Sequence, residues 1–237
     1  MLKKKVAAIA FKGFALAALG SALLGMGNQA MAEDATMPYP KMAPIDQYLM
    51  ADQDAEIALA QSAAPESISR DAEVQVLRRL GFETAVKGKN GFVCIVERSW
   101  TSAPDADFWN PKVRTPICYN AAGARSLLPR NIKRTNLILT GRTKAEVDET
   151  IVAAVDKKEL PAMEPGAMCY MMSKQGYGGD SVAHWPSHVM FFYSQTDPAT
   201  WGANLPGSPI LAMSDDHEHL TEFAIGVQHW SDGTEAR

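Results

Sequence analysis

The stretch GAMCYMMSKQGYGGDSVAHWPSHVMFFY, residues 166–193, decides the fold because it places two strongly apolar runs on either side of a glycine-rich segment. The runs at residues 167–172 and 189–193 have the length and apolar character of strands that are buried on at least one face. Three glycines between the runs predict a turn, at Gly176, Gly178 and Gly179. We therefore expect two strands of a central sheet, joined by this turn.

The segments on either side predict further strands. Residues 73–98 are rich in β-branched and aromatic residues, and Asn90-Gly91 separates two apolar alternations, which predicts a meander of two or three strands with a tight hairpin turn. Residues 209–213 and 222–228 are two more expected strands, with the polar sequence SDDHEH between them. Residues 100–120 contain three prolines and predict a long irregular connection.

Two helical regions have weak signals. Residues 45–63 carry a weakly amphipathic pattern among many alanines, and Pro65 ends it. Asn120 is placed to cap a second helix, which Pro129 interrupts.

The clearest helix begins at Thr143, which forms a capping-box pattern with Glu146. It continues with an apolar stripe at Val147, Ile151, Ala154 and Val155. Strands and helices that do not alternate strictly are typical of an α+β fold, so we predict a single domain with a mostly antiparallel sheet and packed helices.

The N-terminus has the three parts of a secretory signal peptide. Three lysines stand at positions 3 to 5, an apolar segment is centred on residues 14–24, and Ala30-Met31-Ala32 is a small-residue cleavage site. The apolar segment is shorter than the roughly 20 residues that span a bilayer, so we expect cleavage between Ala32 and Glu33 and no membrane span afterwards. The chain then divides into a signal peptide, an N-terminal arm with a helix, and an α+β globular domain, at residues 1–32, 33–65 and 66–237.

The charge balance narrows the range of partners. The formal net charge is −4, and removal of residues 1–32, with four lysines and no acids, lowers it to about −8. A nucleic-acid partner needs a basic face that neutralises phosphates, so we expect no nucleic acid. A small ligand or another protein of the cell envelope fits this balance better.

The three cysteines predict one disulfide and one free thiol in an oxidising compartment. Three pairings are possible, and the bond between Cys94 and Cys118 encloses the fewest residues, which makes it the easiest to close. Cys169 is then the unpaired thiol, and we expect it to be buried.

Four histidines are candidate zinc or copper ligands. His184 and His188 are four residues apart with Pro186 between them, and on an extended strand that spacing is about 13 Å, so a shared ion requires a bend at residues 185–187. His217 and His219 lie on one face if residues 214–219 are a strand, and a mixed site would suit either metal. The alternatives are the start of a strand at the first pair and a solvated acidic turn at the second.

A cysteine hydrolase is a further hypothesis for the same region. Cys118 precedes a predicted helix, where its pKa would be lowered, His184 or His188 would act as base, and Asp180 would orient the imidazole. A disulfide at Cys118 would exclude this reaction.

Three methionines and three tryptophans each have a structural and a functional interpretation. Met168, Met171 and Met172 are possible copper(I) ligands, although a core strand explains them as well. Three tryptophans are expected to line an apolar pocket or fill the core, namely Trp185, Trp201 and Trp230.

Five segments resemble parts of a family of bacterial hypothetical proteins that carry N-terminal signal peptides and have no assigned activity. The segments are GKNGFVCIVERSW (88–100), FWNPKVRTPIC (108–118), EPGAMCYMMSKQGYGGD (164–180), HWPSHVMFF (184–192) and WGANLPGSP (201–209). The resemblance implies an exported, single-domain protein, periplasmic or secreted, and it implies no catalytic residues.

Two classes of function fit these observations. The first is an exported protein that binds a small ligand or an envelope partner without catalysis and needs no cofactor. The second is a hydrolase, metal-dependent or cysteine-dependent, built on His184 and His188. Because no catalytic motif is recognisable, we expect the first.

Overall fold

A computed structural model of the protein describes residues 38–236, so the predicted signal peptide and its cleavage site at Ala32 and Glu33 lie outside the described residues. The described residues belong to one compact unit. The helices are α1 (Gln53–Gln61), α2 (Glu66–Ser69), α3 (Ser99–Ser102), α4 (Ala121–Ser126), α5 (Leu128–Leu139) and α6 (Lys144–Asp156). The strands are β1 (Glu73–Arg78), β2 (Gly81–Val86), β3 (Val93–Glu97), β4 (Thr115–Tyr119), β5 (Met168–Met171), β6 (His188–Ser194), β7 (Ile210–Asp215) and β8 (Leu220–Gly226).

The eight strands form one sheet in the order β2-β1-β3-β4-β5-β6-β8-β7. Neighbouring strands are antiparallel throughout, except that β1 and β3 are parallel. Helix α1 packs on one face of β1, β3 and β4, and α4 and α5 pack on the other face. The predicted α+β class, with a mostly antiparallel sheet and packed helices, is confirmed. None of the helices within residues 38–236 is long and apolar enough to cross a membrane.

The N-terminal strands differ from the predicted meander. Strands β1 and β2 form the hairpin, and its turn is at residues 79–80. The prediction of a hairpin at Asn90-Gly91 is wrong, because β3 pairs in parallel with β1 and not with β2. Asn90 instead ties the returning chain to helix α2, since its side-chain NH₂ donates to the carbonyl of Ile68 over 2.7 Å, and its Oδ1 accepts from the N–H of Phe92 over 3.0 Å.

Strand β4 lies within the segment that was expected to be irregular. All five of its residues are buried, and they pair with β3 from Thr115 to Tyr119. Proline is unfavourable in a central strand because it lacks a donor. Pro116 is tolerated because only Cys118 and Tyr119 pair with β5, so the chain at Pro116 has no strand on its second side.

The helices follow their capping signals. Thr143 and Glu146 form the predicted capping box at the start of α6. Asn120 caps α4 as predicted, because its side chain accepts from the N–H of Gly123 over 2.8 Å. Pro129 stands in the first turn of α5, where its missing N–H costs nothing, so it begins a new helix after α4 ends.

The arm after residue 38 is fixed by buried polar contacts. Tyr48 is fully buried and donates its hydroxyl to the carbonyl of Trp109 over 2.7 Å. Arg98 donates from Nε to the carbonyl of Tyr48 over 2.7 Å and pairs with Glu56 of α1 over 2.8 Å, with both charged side chains fully buried. These contacts fix the arm and α1 against the start of the sheet.

Candidate functional site

The loop between β5 and β6, residues 172–187, is anchored on Asp107, which is 1 % exposed. The Asp107 carboxylate accepts from the backbone N–H of Asp180 over 3.1 Å, and from the N–H and hydroxyl of Ser181 over 3.0 and 2.6 Å. Burial opposes ionisation of Asp107, but the hydrogen bonds from Ser181, Asn110 and Asp180 lower its pKa below the ordinary value. The loop is therefore fastened by a buried carboxylate.

Close packing explains the glycines of this loop. A Cβ atom on Gly178 would lie 2.7 Å from Nε1 of Trp185, and one on Gly179 would lie 2.8 Å from the carboxylate of Asp107. Gly179 also has a φ of +127°, which L side chains rarely adopt. The glycine segment is thus a tightly packed turn, as predicted.

The bend at His184 lines a small cavity. The cavity has a volume of about 10 Å³ and is lined by Thr115, Pro116, Met171, Ser173, Gly176, Tyr177, His184 and Trp185. Three buried polar atoms at this cavity have no hydrogen-bond partner among the described residues: Thr115 Oγ1, His184 Nε2 and Trp185 Nε1. All three atoms belong to residues that line the cavity.

The predicted histidine ligands have other neighbours. His184 stacks edge-on against Trp230 at 5.1 Å between ring centroids, and His188 Nδ1 lies 2.6 Å from the carbonyl of Pro186. Burial lowers the pKa of His188. Within residues 38–236, no three histidine, cysteine, aspartate or glutamate side chains are grouped so as to hold a metal ion.

The second histidine pair lies in the turn between β7 and β8, so the strand geometry expected for it is wrong. His217 is exposed in that turn, and His219 has a positive φ of 51° with its Nε2 atom 3.2 Å from Asp156. The turn is solvent-exposed at Asp216, His217 and His219, as the alternative reading expected, but Glu218 is buried.

The predicted disulfide is confirmed. Cys94 and Cys118 are directly opposite each other on β3 and β4, and their sulfur atoms are 1.98 Å apart. The cysteine hydrolase hypothesis is therefore wrong, because Cys118 has no thiol. Asp180 accepts hydrogen bonds from the hydroxyls of Tyr39 and Tyr177 and orients no imidazole. Cys169 is free and buried as expected, and burial raises its pKa well above the ordinary value.

The methionines and tryptophans are dispersed through the structure. Met168 and Met171 lie on opposite faces of β5, because strand side chains alternate. Trp201 stacks on Phe223 at 4.3 Å and covers the face of β6 and β8 opposite to α5. Trp185 and Trp230 both lie beside His184 and are separate from Trp201.

A buried acidic cluster lies beneath α5 and was not predicted. Glu97 of β3 is 4 % exposed, and its Oε1 accepts from the hydroxyl of Tyr119 over 2.6 Å and from the side-chain NH₂ of Asn131 over 2.8 Å. Burial raises the pKa of Glu97 to about 7, although these hydrogen bonds and Arg134 oppose the change. Glu222 of β8 is on the same face of the sheet, and burial together with the charge of Glu97 raises its pKa to about 7 as well.

Ion pairs also fix α5 to the segment that precedes β8 and to α6. Glu218, which precedes β8, accepts from Nη1 of Arg130 over 3.0 Å and pairs with Arg134. Arg134 also donates to Asp148 of α6 over 3.0 Å. These side chains join α5 to α6 and to the last hairpin.

An open groove runs along the outer side of α5. We call it the α5 groove, and its lining residues are Pro129, Ile132, Lys133, Asn136, Leu137, Thr140 and Thr150. Its volume is about 490 Å³, and most of its lining is apolar. Thr150 belongs to α6, so both long helices border the groove.

A pattern in the sequence points to each of the two features that were not predicted. Glu97 ends an otherwise apolar strand and lies two residues from the buried Ile95, so alternation places it on the core face. The groove residues Pro129, Ile132, Lys133 and Asn136 follow the spacing of one helix face.

Comparisons with protein-family models, with curated proteins and with solved structures found no match for the chain. The resemblance to exported bacterial proteins therefore stays a prediction.

Proposed function

We propose that this protein is an exported, non-enzymatic binding protein, periplasmic or secreted, that holds a small amphiphilic ligand in the α5 groove. The main support is the groove itself. Its volume of about 490 Å³ lies within the range of roughly 300 to 1,000 Å³ that is usual for small-molecule sites. Apolar surface with a few polar groups is also usual for such sites.

Lys133 determines the polarity of the proposed ligand. It is the charged residue among those that line the groove. Its Nζ atom is 3.8 Å from Glu159, and both side chains are partly exposed, so this ion pair is weak. The ammonium group can therefore pair with an acidic head group while the ligand's apolar body covers Ile132 and Leu137.

Export is supported by the disulfide and by the N-terminal pattern. Disulfides persist in oxidising compartments and are rare in the cytosol, and the Cys94–Cys118 bond joins two buried positions of the central sheet. The acidic charge balance fits a small monoanion at a local lysine better than a polyanion.

Calorimetric titration with decanoate tests the proposal. The probe has an apolar chain and one carboxylate, and it is used below the concentration at which it forms micelles. We expect saturable binding to the mature chain, and we expect Thr150→Trp to weaken it by at least about tenfold, or about 1.4 kcal/mol, by filling the groove.

Glu149→Trp is the matched control, because Glu149 is the exposed neighbour of Thr150 on α6 and does not line the groove. This variant is expected to bind decanoate like the wild type. Absence of saturable binding to the wild type would contradict the proposal, as would equal binding by Thr150→Trp.

A further inference from the structure

The small cavity beside His184 has the properties of a second, separate site. Thr115 is 4 % exposed, and its hydroxyl has no hydrogen-bond partner among the described residues. His184 Nε2 and Trp185 Nε1, in the loop at residues 172–187, share this property, and both residues line the same cavity as Thr115. A buried polar group without a partner costs about 1 to 3 kcal/mol, so three of them at one cavity point to a bound molecule that satisfies them.

The size of the cavity selects the molecule. A volume of about 10 Å³ corresponds to about one water-sized sphere, which is the lower limit for one water molecule. Buried waters make about three hydrogen bonds, and the cavity offers three polar atoms.

The chemistry of the three atoms also fits water. The indole Nε1–H of Trp185 only donates, the hydroxyl of Thr115 donates or accepts, and Nε2 of neutral His184 accepts when its proton is on Nδ1. A water molecule can accept from Trp185 and Thr115 and donate to His184. A chloride ion accepts only, and it would therefore need His184 to carry a proton on Nε2.

We propose that the cavity is a binding site for one water molecule, which joins Thr115 of β4 to His184 and Trp185 of the loop. The water satisfies all three groups and holds His184 in the tautomer with its proton on Nδ1. Together with Asp107, it fixes the bend that precedes β6. The site is independent of the α5 groove, because no residue lines both.

Nuclear magnetic resonance of the mature chain, labelled with ¹⁵N in its tryptophans and histidines, tests the site. We expect cross-relaxation between water and the Nε1 proton of Trp185, and a His184 Nε2 signal of the unprotonated, accepting type. Trp100 is the internal control, because its Nε1–H donates to the Thr135 hydroxyl over 3.0 Å. A hydroxyl proton next to an indole N–H can also give rise to such a signal, and Trp100 shows how large this contribution is. Only the part of the Trp185 signal that exceeds the Trp100 signal is therefore assigned to the bound water.

Two variants at Thr115 separate its hydroxyl from its shape. Thr115→Val keeps the shape and is expected to remove most of the excess signal at Trp185, whereas Thr115→Ser is expected to keep it. If Thr115→Val does not fold, the wild-type spectra and Thr115→Ser still decide. Lack of excess signal in the wild type, an unchanged signal in Thr115→Val, or a protonated His184 Nε2 whose shift follows chloride concentration would each overturn the proposal.

Discussion

Replacement of Glu97 by glutamine tests the buried acidic cluster. In the folded chain Glu97 accepts from Tyr119 and Asn131, and its pKa is raised from 4.5 to about 7 because the side chain is buried. Glutamine has nearly the same shape, and its carbonyl oxygen can accept the same two hydrogen bonds. The variant therefore removes the ionisation of Glu97 and keeps its packing.

The direction of the pH effect follows from the raised pKa. The unfolded chain releases this proton near pH 4.5 and the folded chain near pH 7, so the folded chain binds one more proton between these values. Its stability therefore falls as the pH rises through this window, and the loss is complete above pH 7. At about 1.4 kcal/mol for each pKa unit, the loss is about 3 kcal/mol.

Glu97→Gln does not undergo this loss. Its free energy of unfolding relative to the wild type is expected to rise by about 3 kcal/mol between pH 4 and pH 8. Urea denaturation followed by tryptophan fluorescence measures it, because Trp100 is 3 % exposed and its indole donates to Thr135 of α5. The exposed Glu149→Gln is the control and should show no such rise. If the free energies of unfolding of Glu97→Gln and the wild type differ by the same amount at pH 4 and at pH 8, the reasoning is refuted.

Four further predictions concern the groove, the loop, the disulfide and the N-terminus. Lys133→Glu is expected to weaken decanoate binding and to strengthen binding of decyltrimethylammonium in the same calorimetric titration. An unchanged order of the two affinities would count against Lys133 as the head-group partner. Asp107→Ala should cost about 3 kcal/mol and speed amide hydrogen exchange at residues 178–184, because the loop loses its anchoring hydrogen bonds. The double variant Cys94→Ser, Cys118→Ser should lose about 2 to 4 kcal/mol in urea denaturation, and thiol counting of the denatured wild type should give one free thiol. Terminal sequencing of the exported protein should begin at Glu33, and an intact Met1 would contradict cleavage.

Local signals in the sequence predict several elements correctly. The capping box of Thr143 and Glu146 starts α6 because both partners lie within one turn of chain. The Cys94–Cys118 bond follows from the shortest loop, and the strands on either side of residues 172–187 follow from their apolar runs. Each of these features follows from a local pattern or from a simple count of the residues between two positions.

Features that depend on which strand pairs with which are not predicted. Pro116 argues against a strand at residues 115–119 when only the sequence is considered. The structure tolerates this proline because β5 pairs only with Cys118 and Tyr119. The hairpin predicted at Asn90-Gly91 is wrong for a similar reason. Its turn signal is strong, but β3 pairs with β1 and not with β2.

The chemistry of the core depends on the same distant contacts. The sequence places Glu97 on the core face, but its raised pKa depends on burial under α5, more than 30 residues away in the chain. The α5 groove likewise needs α6 beside α5 before it has a second border.

Mapping decanoate binding onto the chain by amide chemical shifts tests the proposed function most directly. Residues 129–140 line most of the groove, and Thr150 borders it on α6. We expect the amide shifts that change with decanoate concentration to cluster at these residues and to follow one saturable curve. Shifts that concentrate in the loop at residues 172–187, or that spread over the sheet without saturation, would contradict binding in the α5 groove.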